Sequence, residues 1–537
     1  METNTVDIAG KFTSRMLKPM ARYAWLGWAL PVALVLFLSL RQIGTADFWW
    51  QWSTGRWILD NGIPTHDPWL TTAEPRSWIE TRWLYCVALY WSFENVGAWL
   101  PIIAVAAIYA LGAGFALRAG NRAAPSWIAI AGVGLAAVAG RRFVVRPEAF
   151  TFLFLAATLW LIIRMRTDRL KSEWGVFWIG AVQVVWANTH ALFAAGTGLC
   201  VVWLIVEAVS KGKLWKAALA AVAVSAVAAL INPYGVHGAL FPFVLLEELH
   251  VGAYRNNIVE LRSPFAFGLS PSLIAHMALA AMVGWLAIRK RGDTFLLLAC
   301  AATFYLSVTV VRNAPLFGLC AVAYISTCDL KPHKAPAWLA TLCAAAIAYS
   351  FAIGAWTLED RLGLSLDRSR YALPSAQTLV NEKGEVFNTL VEGSLLIVQR
   401  QRVFSDPRLE VLPQERFVEM LDYSRLIKPI PENFTVLLLT VDCPLTAKII
   451  KDGGWRITGI DPLGIAFVRE DGATINPSEV VAMASETIDL NPPEFSFFSR
   501  AKSPIPYRRL AMLFHNIGEE KAAADMRALA RRVYPTR

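Results

Sequence analysis

The sequence lacks the motifs that mark most soluble enzymes. It has no P-loop, no GxSxG nucleophile turn, no HExxH motif and no dinucleotide-binding glycine fingerprint. Its seven Cys form no CxxC pair, and most of them lie in apolar runs. We therefore expect buried free thiols and neither a structural metal site nor a disulfide framework.

Charged residues are also scarce. They make up 17% of the 537 residues, whereas 56% are apolar, and the mean hydropathy is +0.44. Soluble domains are about 45–50% apolar, so this composition indicates a membrane protein. The net charge is +10, and we expect the excess of Lys and Arg to lie in cytoplasmic loops rather than on a nucleic-acid-binding surface. No short cleavable signal peptide is evident, and the first apolar run is expected to be an uncleaved anchor.

Apolar runs long enough to cross about 30 Å of hydrocarbon recur along the first two thirds of the chain. We predict eleven spans, at residues 23–40, 97–117, 126–140, 148–163, 174–186, 191–209, 214–231, 271–288, 294–311, 313–329 and 336–356. Residues 83–93 are apolar too, but they are short and fit an interfacial helix better than a span.

The distribution of Lys and Arg predicts the orientation. With the N-terminal segment 1–22 in the cytoplasm, the six inside segments carry 18 Lys and Arg in about 58 residues. The outside segments before residue 357 carry 10 in roughly twice that length. An odd number of spans then places residues 357–537 outside.

The tail has the composition of a soluble region. Residues 357–470 combine β-rich runs (SLLIVQRQRVFSD, FTVLLLTVDC, GIAFVRED) with helix-like stretches (LPQERFVEML, AKIIKD), which predicts a small α/β domain. Residues 471–503 are predicted to be a linker. Residues 504–537 are predicted to form a helical hairpin that turns at Gly518 and has a packing role.

Three acids in the first outside loop, residues 41–96, are candidates for a catalytic carboxylate. Asp47 comes soon after the first span and precedes FWWQW, so it would lie nearest the membrane surface; the alternative is that it caps the helix beginning near Phe48. Asp67 is the second candidate, with an Asx turn before Pro68 as the alternative. Glu80 is the third, at the start of a helix where a carboxylate also suits the helix dipole.

Other polar and aromatic residues on the outside are candidates for substrate binding. Arg146 and Arg312 open two spans and could clamp a phosphate, and Glu148 follows Arg146 closely. The alternative for Arg146 is an ion pair with Glu148 or a lipid headgroup. The remaining candidates are Trp49, Trp50, His66, Asn188 and His190.

The first outside loop resembles a known family. The run DFWWQWSTGRWILDNGIPTHDPWLTT, followed by SWIETRWL, resembles the same loop of bacterial multi-spanning GT-C-type glycosyltransferases, distant kin of the dolichyl-phosphate-mannose-dependent mannosyltransferases. Further along, RPE, WANTH, NPYG, the Arg312 that precedes NAPLF, and GEVFNTLVEGSLL with RVFSDPR follow in the family's order. One departure is that Arg82 stands where the family often has Glu.

The resemblance implies a GT-C-like helical membrane fold. It also implies an inverting transfer of a sugar from a polyprenyl-phosphate donor to a lipid, glycan or protein acceptor at the outer face, as in polysaccharide biosynthesis. An Asp of the first loop would be the base. The resemblance also implies that the protein lies in the inner membrane of a bacterium, in contact with membrane lipids, and that its C-terminal domain is periplasmic. A divalent cation, Mg²⁺ or Mn²⁺, is left open as a cofactor, without assigned ligands.

Two other functions remain open. A polysaccharide or lipid transporter, or a flippase, would explain the many spans, but it would favour polar residues at the midplane and pseudo-symmetric halves. The sequence shows few midplane charges and no convincing repeat. A noncatalytic subunit of a surface-polysaccharide assembly machine would carry the same motifs.

Overall fold

The computed structural model describes residues 25–72, 74, 76–250, 252–352, 361–494 and 503–534. The predicted cytoplasmic segment 1–22 lies outside these residues, as do the end of the last predicted span (353–356), the start of the predicted α/β domain (357–360), part of the predicted linker (495–502) and the last three residues (535–537).

The first two thirds of the described chain are helical. In chain order the helices are α1 (Leu26–Ser39), α2 (Phe48–Asn61), α3 (Trp83–Asn95), α4 (Trp99–Leu117), α5 (Pro125–Ala139), α6 (Glu148–Arg166), α7 (Ser172–Ala187), α8 (Ala194–Val209), α9 (Trp215–Ala228), α10 (Gly235–His250), α11 (Ala253–Asn257), α12 (Pro271–Ile288), α13 (Thr294–Thr309), α14 (Ala314–Thr327) and α15 (Lys334–Ala352). Each of the eleven predicted spans coincides with one of these helices.

Some of these helices have the length and apolar composition needed to cross a membrane. In the described part of the chain, five helical segments are long and apolar enough to span a bilayer: Trp99–Leu117, Glu148–Arg166, Ala191–Val209, Pro271–Ile288 and Lys334–Ala352. Shorter apolar helices include α9, α13 and most of α1. The count of eleven crossings and their orientation therefore stay predictions.

Two helices form the centre of the bundle. Every residue of α14 is buried, as expected for a helix that is apolar all round. Helix α5 packs against α1, α12, α14 and α15. A Cβ on Gly132 of α5 would lie 2.5 Å from the Pro31 Cβ of α1, so the small residue is what lets these two helices approach closely.

The first outside loop is an ordered helical pair. Helices α2 and α3 pack tightly, because a Cβ on Gly55 of α2 would lie only 2.1 Å from the carbonyl oxygen of Cys86 on α3. Helix α3 corresponds to the predicted interfacial helix at 83–93. The pair fixes the position of Asp47, which directly precedes α2.

The loop between α9 and α12 contains helices that the sequence analysis did not predict. Helix α10 continues through Pro242 and leaves Leu240 and Phe243 more than half exposed. Proline in an apolar run ordinarily signals a helix break, which conceals this helix in the sequence.

The tail contains the predicted α/β domain. Its elements are α16 (Leu373–Gln377), β1 (Glu385–Asn388), α17 (Leu390–Val398), α18 (Gln414–Ser424), β2 (Phe434–Thr440), α19 (Pro444–Asp452), β3 (Trp455–Ile460) and β4 (Gly464–Arg469). The sheet order is β1-β2-β4-β3, with β1 parallel to β2 and the other pairs antiparallel. Val386 pairs with Val436 and Leu438 with Ala466, so apolar side chains line the sheet.

Two local predictions in the tail are wrong. The run SLLIV was expected to be β-rich but lies in α17. Leu395, Leu396 and Ile397 are buried there and the helix packs against α2, so tertiary packing overrides the β-propensity of the run. The predicted linker contains helix α20 (Pro477–Glu486), which begins with Pro477 and with the Asn476 side chain accepting from the Ser478 N–H.

The chain's last described elements are α21 (Ile505–Ile517) and α22 (Glu520–Val533). They turn at Gly518, whose φ of +93° favours glycine, at the position that the sequence indicates. Helix α21 packs on α19 and α20, so the hairpin belongs to the α/β domain.

The α/β domain docks on the first outside loop. The Thr71 N–H donates to the Val403 carbonyl at 2.9 Å, and the Val403 N–H donates to the Trp69 carbonyl at 2.8 Å. The loop and the domain therefore lie on the same side of the membrane half.

Candidate active site

A cavity of about 210 Å³ opens where the first outside loop, the ends of several helices and the α/β domain meet. We call it the first cavity. Its polar wall contains Asp47, Arg82, Arg146, Glu148, His190, Glu260, Arg312, Asn313 and Glu410, and its apolar wall includes Leu192, Leu245, Leu246, Leu261 and Val310. Five predicted site residues, Asp47, Arg146, Glu148, His190 and Arg312, thus share one cavity.

Asp47 directs its carboxylate toward other side chains and does not cap helix α2. It precedes the helix in an α-like conformation and makes no side-chain capping bond. One oxygen accepts from Trp50 Nε1 at 3.2 Å, and the other lies 3.3 Å from an Arg146 nitrogen. Because the carboxylate is 26% exposed, it remains accessible to a ligand.

Arg146 joins Asp47 to a second acid. Its Nη1 donates to Glu260 Oε1 at 2.8 Å, and Arg142 Nη1 lies 2.7 Å from the same oxygen. Burial alone would lower the pKa of Arg146, but Asp47 and Glu260 more than offset it, so its pKa is raised well above the ordinary value. Burial would raise the pKa of Glu260, but Arg142 and Arg146 lower it to about 2. Arg142, Arg146 and Glu260 are therefore charged at neutral pH.

Glu148 binds the guanidinium groups of Arg142 and Arg312. One of its oxygens accepts from Arg142, and the other accepts from Arg312 Nη2 at 2.9 Å. Arg312 is 28% exposed, more than Arg82, Arg142 or Arg146, and Glu148 is its one acidic partner within 4 Å in the described part of the chain. Most of its N–H groups therefore remain available to an anion.

His190 is a neutral hydrogen-bonding group. Trp186 Nε1 donates to the Thr151 hydroxyl at 2.9 Å, and that hydroxyl lies 2.8 Å from His190 Nδ1. The Leu192 N–H also points at Nδ1, at 3.4 Å. These contacts assign Nδ1 as the acceptor and leave Nε2 as the donor. Burial lowers the pKa of His190 to about 3 in spite of nearby Glu148.

Arg82 closes the cavity on the side of the α/β domain. Its guanidinium binds both oxygens of Glu80, at 2.7 and 3.0 Å, and donates to Glu410. It also lies over the Trp50 ring, 4.6 Å from the centroid. The α/β domain thus supplies an acid to a cavity built mainly from the membrane half.

Comparisons with known proteins find no matching protein-family model and no matching curated protein. Solved structures do match. The oligosaccharyltransferase of Archaeoglobus fulgidus in its apo form has a TM-score of 0.53 and 11% identity, over 84% of this chain and 75% of that one. ArnT from Cupriavidus metallidurans bound to undecaprenyl phosphate has a TM-score of 0.50 and 13% identity, over 84% of this chain and 99% of that one.

The archaeal protein in complex with Zn and sulfate matches as well, with a TM-score of 0.50 and 13% identity, over 90% of this chain and 76% of that chain. The chain has the GT-C fold. The predicted fold class, a helical membrane protein with a small C-terminal α/β domain, is confirmed.

Two of the three candidate acids are fully engaged in this GT-C structure. Asp67 is buried, with Oδ1 2.7 Å from Arg408 Nη1 and Oδ2 accepting from the Leu70 N–H at 2.7 Å. Glu80 is also buried, and Arg82 binds both of its oxygens. Neither acid lines the first cavity. Asp47 is the one of the three that does.

Four predicted binding residues have structural partners instead of facing the cavity. His66 is exposed next to Thr65. Trp49 is buried against Phe48, Trp52, Phe93 and Tyr371. Trp50 supports Asp47 and Arg82 from behind. Asn188 accepts from Trp83 Nε1 and donates to the carbonyls of Val184 and Ile231, each at 2.7 Å, so it ties α3 to the ends of α7 and α9.

Several charged residues around the cavity are not among the candidates that the sequence indicates. Arg142 lies in RRFVVRPE, four residues before the predicted Arg146, and this basic cluster is an available signal. In the sequence Arg82 stands out only as a departure from the family pattern. Glu260 and Glu410 lie in loops that approach the cavity through tertiary contacts, and no local motif marks them.

The residues present do not fit a divalent cation. Mg²⁺ and Mn²⁺ prefer carboxylate and water oxygens. The carboxylates of the first cavity, Asp47, Glu148, Glu260 and Glu410, each lie against a guanidinium group. Within the described residues, no three His, Cys, Asp or Glu side chains group closely enough to hold a metal ion.

Proposed function

We propose that the protein is a membrane glycosyltransferase. It moves a sugar from a polyprenyl-phosphate donor to a lipid, glycan or protein acceptor on the outer face of a bacterial inner membrane. The observation that supports this function best is the shared cavity, in which the accessible Asp47 carboxylate lies beside the guanidinium groups of Arg146 and Arg312 in a GT-C fold. ArnT, one of the structural neighbours, is bound to undecaprenyl phosphate, which supports the choice of carrier lipid.

The cavity offers separate places for the two ends of such a donor. Leu245, Leu246 and Leu261 form part of an apolar wall for the start of the prenyl chain. The phosphate would lie against Arg312, whose N–H groups are the least occupied among the cavity's arginines, and beside Arg146. His190 Nε2–H is a neutral donor for a phosphate or sugar oxygen.

Asp47 is the base of the proposed step. Its carboxylate takes the proton of an acceptor hydroxyl while that oxygen bonds to the anomeric carbon, and the bond from that carbon to the phosphate oxygen breaks. The electron pair leaves with the polyprenyl phosphate, whose negative charge the arginines stabilise. A phosphate that binds Arg146 would compete with Asp47 for the guanidinium, which would free the carboxylate to act as a base.

The function is tested by comparing cells that carry the gene with cells that lack it. Mass spectrometry of lipid-linked and surface glycans should show one product that loses a single sugar on deletion. Wild-type protein should restore the sugar. The Asp60→Asn variant should restore it too, and it serves as the control because Asp60 lies in helix α2, which follows Asp47, and its side chain is 53% exposed. Asp47→Asn should not restore it. A flippase would give a different result on deletion. The product mass would be unchanged, and a complete lipid-linked precursor would stay on the inner leaflet.

A further inference from the structure

Two arginines lie close together at the far end of the helical bundle from the first cavity. Helix α6 begins with Glu148, which lines that cavity, and ends in a turn that contains Arg164. At 1.5 Å per residue, Arg164 is about 24 Å from Glu148 along the helix axis. Arg118 directly follows α4, which packs against α6. Both arginines are at helix ends that the charge distribution predicts to face the cytoplasm.

Tryptophan rings hold both guanidinium groups in place. The Arg118 guanidinium lies over the Trp28 ring of α1, 4.5 Å from its centroid, and that of Arg164 lies over the Trp160 ring, 5.0 Å from its centroid. Trp160 also contacts Phe115 of α4, with ring centroids 5.4 Å apart. A guanidinium stacked on a ring uses its face for that contact, so the N–H groups at its edge stay available to an anion.

The protein itself supplies no counter-ion to these two groups. Among the described residues, neither Arg118 nor Arg164 has an acidic side chain within 4 Å, and Arg164 Nε is enclosed without a hydrogen-bond partner. The charges close enough to act on Arg164 are those of Arg118 and Arg169, both positive. Asp168 is the nearest acid along the chain, but it is exposed and forms no ion pair in the same part of the chain. The pair therefore suits an anion from outside the chain.

Another arginine of the same helix turn is neutralised inside the protein. Arg166 binds Glu207 of α8, and its Nη2 lies 3.1 Å from Asp293. The end of α6 thus pairs one arginine with acids and leaves another without them. The lack of acids around Arg164 is a property of the face that α6 shares with Arg118, and does not extend to the whole helix end.

The surface beside the two arginines is apolar. Leu111, Phe115 and Arg118 recur at the spacing that places residues on one face of α4, and Leu111 is 57% exposed. An apolar strip therefore runs from Arg118 toward the middle of the bilayer. A ligand of this face has an anionic end at the guanidinium groups and an apolar remainder along the helix. That is the chemistry of an anionic phospholipid, whereas a water-soluble anion would use only the charged end.

We propose that Arg118 and Arg164 bind the phosphate of an anionic phospholipid in the cytoplasmic leaflet. Trp28 and Trp160 hold the guanidinium groups in position, and an acyl chain lies along Leu111 and α4. Each guanidinium can donate two parallel N–H groups to phosphate oxygens. The cationic headgroup of a zwitterionic lipid would be repelled by these arginines, which gives the site its preference. The site does not depend on the proposed function.

The test measures lipid binding and needs no sugar transfer. Full-length protein in detergent is titrated with phosphatidylglycerol or with phosphatidylcholine of the same acyl chains, and bound lipids are counted by native mass spectrometry. We expect the first phosphatidylglycerol to bind at least about ten-fold more tightly than phosphatidylcholine. Arg118→Gln and Arg164→Gln should each weaken that first binding by about ten-fold, the effect of losing a charge-assisted hydrogen bond.

Two controls separate this site from general attraction between basic residues and anionic lipid. Arg289 follows α12 at the same predicted side and also lies over a tryptophan, 4.7 Å from the Trp285 centroid. Arg289→Gln should keep the tight first binding, because Arg289 is outside the pair. Glycerol 3-phosphate carries the phosphate without acyl chains, and a ten-fold molar excess over the lipid should not displace phosphatidylglycerol. If Arg164→Gln does not fold, Arg118→Gln, which changes an exposed side chain, provides the same test.

Four results would overturn the proposal. The first is equal affinity for the two lipids, and the second is tight phosphatidylglycerol binding that survives in a variant with both Arg118→Gln and Arg164→Gln. The third is an equal loss in Arg289→Gln, which would indicate attraction by the whole basic surface. The fourth is displacement by glycerol 3-phosphate, which would indicate a site for a soluble anion.

Discussion

The Asp47 carboxylate lies 3.3 Å from the Arg146 guanidinium, although one residue follows the first helix and the other precedes the sixth. The contact places a potential base beside a potential phosphate-binding group at the mouth of the helical bundle. A cap for α2 would instead have turned the carboxylate toward the helix N–H groups, and the structure has no such bond.

Phosphate binding should depend most on Arg312. Lysine keeps its charge but loses the planar fork of donors, so Arg312→Lys should lower transfer by roughly 10–100-fold, the effect of losing one charge-assisted hydrogen bond. Arg146→Lys should lower transfer as well, because it also disturbs Asp47. The measurement is the initial rate against donor concentration with purified protein.

Arg262→Lys is the matched control for these two variants. Arg262 lies in the same predicted outside loop as Glu260. Its side chain is exposed and contacts the Phe267 ring rather than the first cavity. It should keep wild-type rates. Full activity in both Arg146→Lys and Arg312→Lys would exclude these residues as the phosphate clamp.

Asp67 should matter for stability. It shares Arg408 with Asp406, and Arg408 lies between the rings of Trp69 and Trp78, 4.6 and 4.7 Å from their centroids. Asp67→Asn removes a buried charge partner, which typically costs about 3–5 kcal/mol. Thermal unfolding should therefore shift strongly downward, while the folded fraction keeps its transfer rate. A normal melting temperature with lost transfer would return Asp67 to the catalytic candidates.

The stability of the protein should carry a pH signature from His190. Its pKa is about 3 in the folded protein against 6.5 in a model peptide, because the ring is buried. Between these values the unfolded chain binds a proton that the folded protein does not, so stability falls as the pH drops from 6.5 towards 3 and is unaffected above 6.5. When the pH is lowered from 7 to 4, the melting temperature of His190→Gln should fall less than that of the wild type. Parallel curves would contradict the assignment of a neutral, buried His190.

Topology is the next prediction. Alkaline phosphatase fused after residue 370 should be active, and green fluorescent protein at the same position should be dark, because the inside loops carry most of the Lys and Arg. Fusions after residue 122, in a predicted inside loop, should give the opposite pair of results. Active phosphatase after 122 together with bright fluorescence after 370 would reverse the orientation.

The sequence predicts the helical bundle well because long apolar runs and charge asymmetry are local signals. The predicted topology puts Asp47, Arg146, Glu148, His190 and Arg312 at the ends of predicted spans on one side, and in the structure all five line the first cavity. Their roles in transfer stay predictions. Helix α10 escapes a sequence reading because Pro242 interrupts its apolar pattern.

What the sequence could not show depends on long-range contacts. Glu410 reaches Arg82 across 328 positions of chain, and Arg408 reaches Asp67 across 341. Neither partner is evident from local spacing. Burial distinguishes the three candidate acids, whereas the sequence motif of the first outside loop does not. Asp67 and Glu80 lie in the same loop as Asp47 but are buried against guanidinium groups.

The most direct test of this account is sugar transfer by purified Asp47→Asn protein beside wild type, at matched folding and with Asp60→Asn as the control. Asparagine keeps the size and most hydrogen bonds of Asp47 but takes no proton. Loss of a general base typically costs ~10²–10⁴-fold in rate, and we expect a loss in that range with a melting temperature close to wild type. Transfer within a few-fold of wild type would contradict the central claim that Asp47 is the catalytic base.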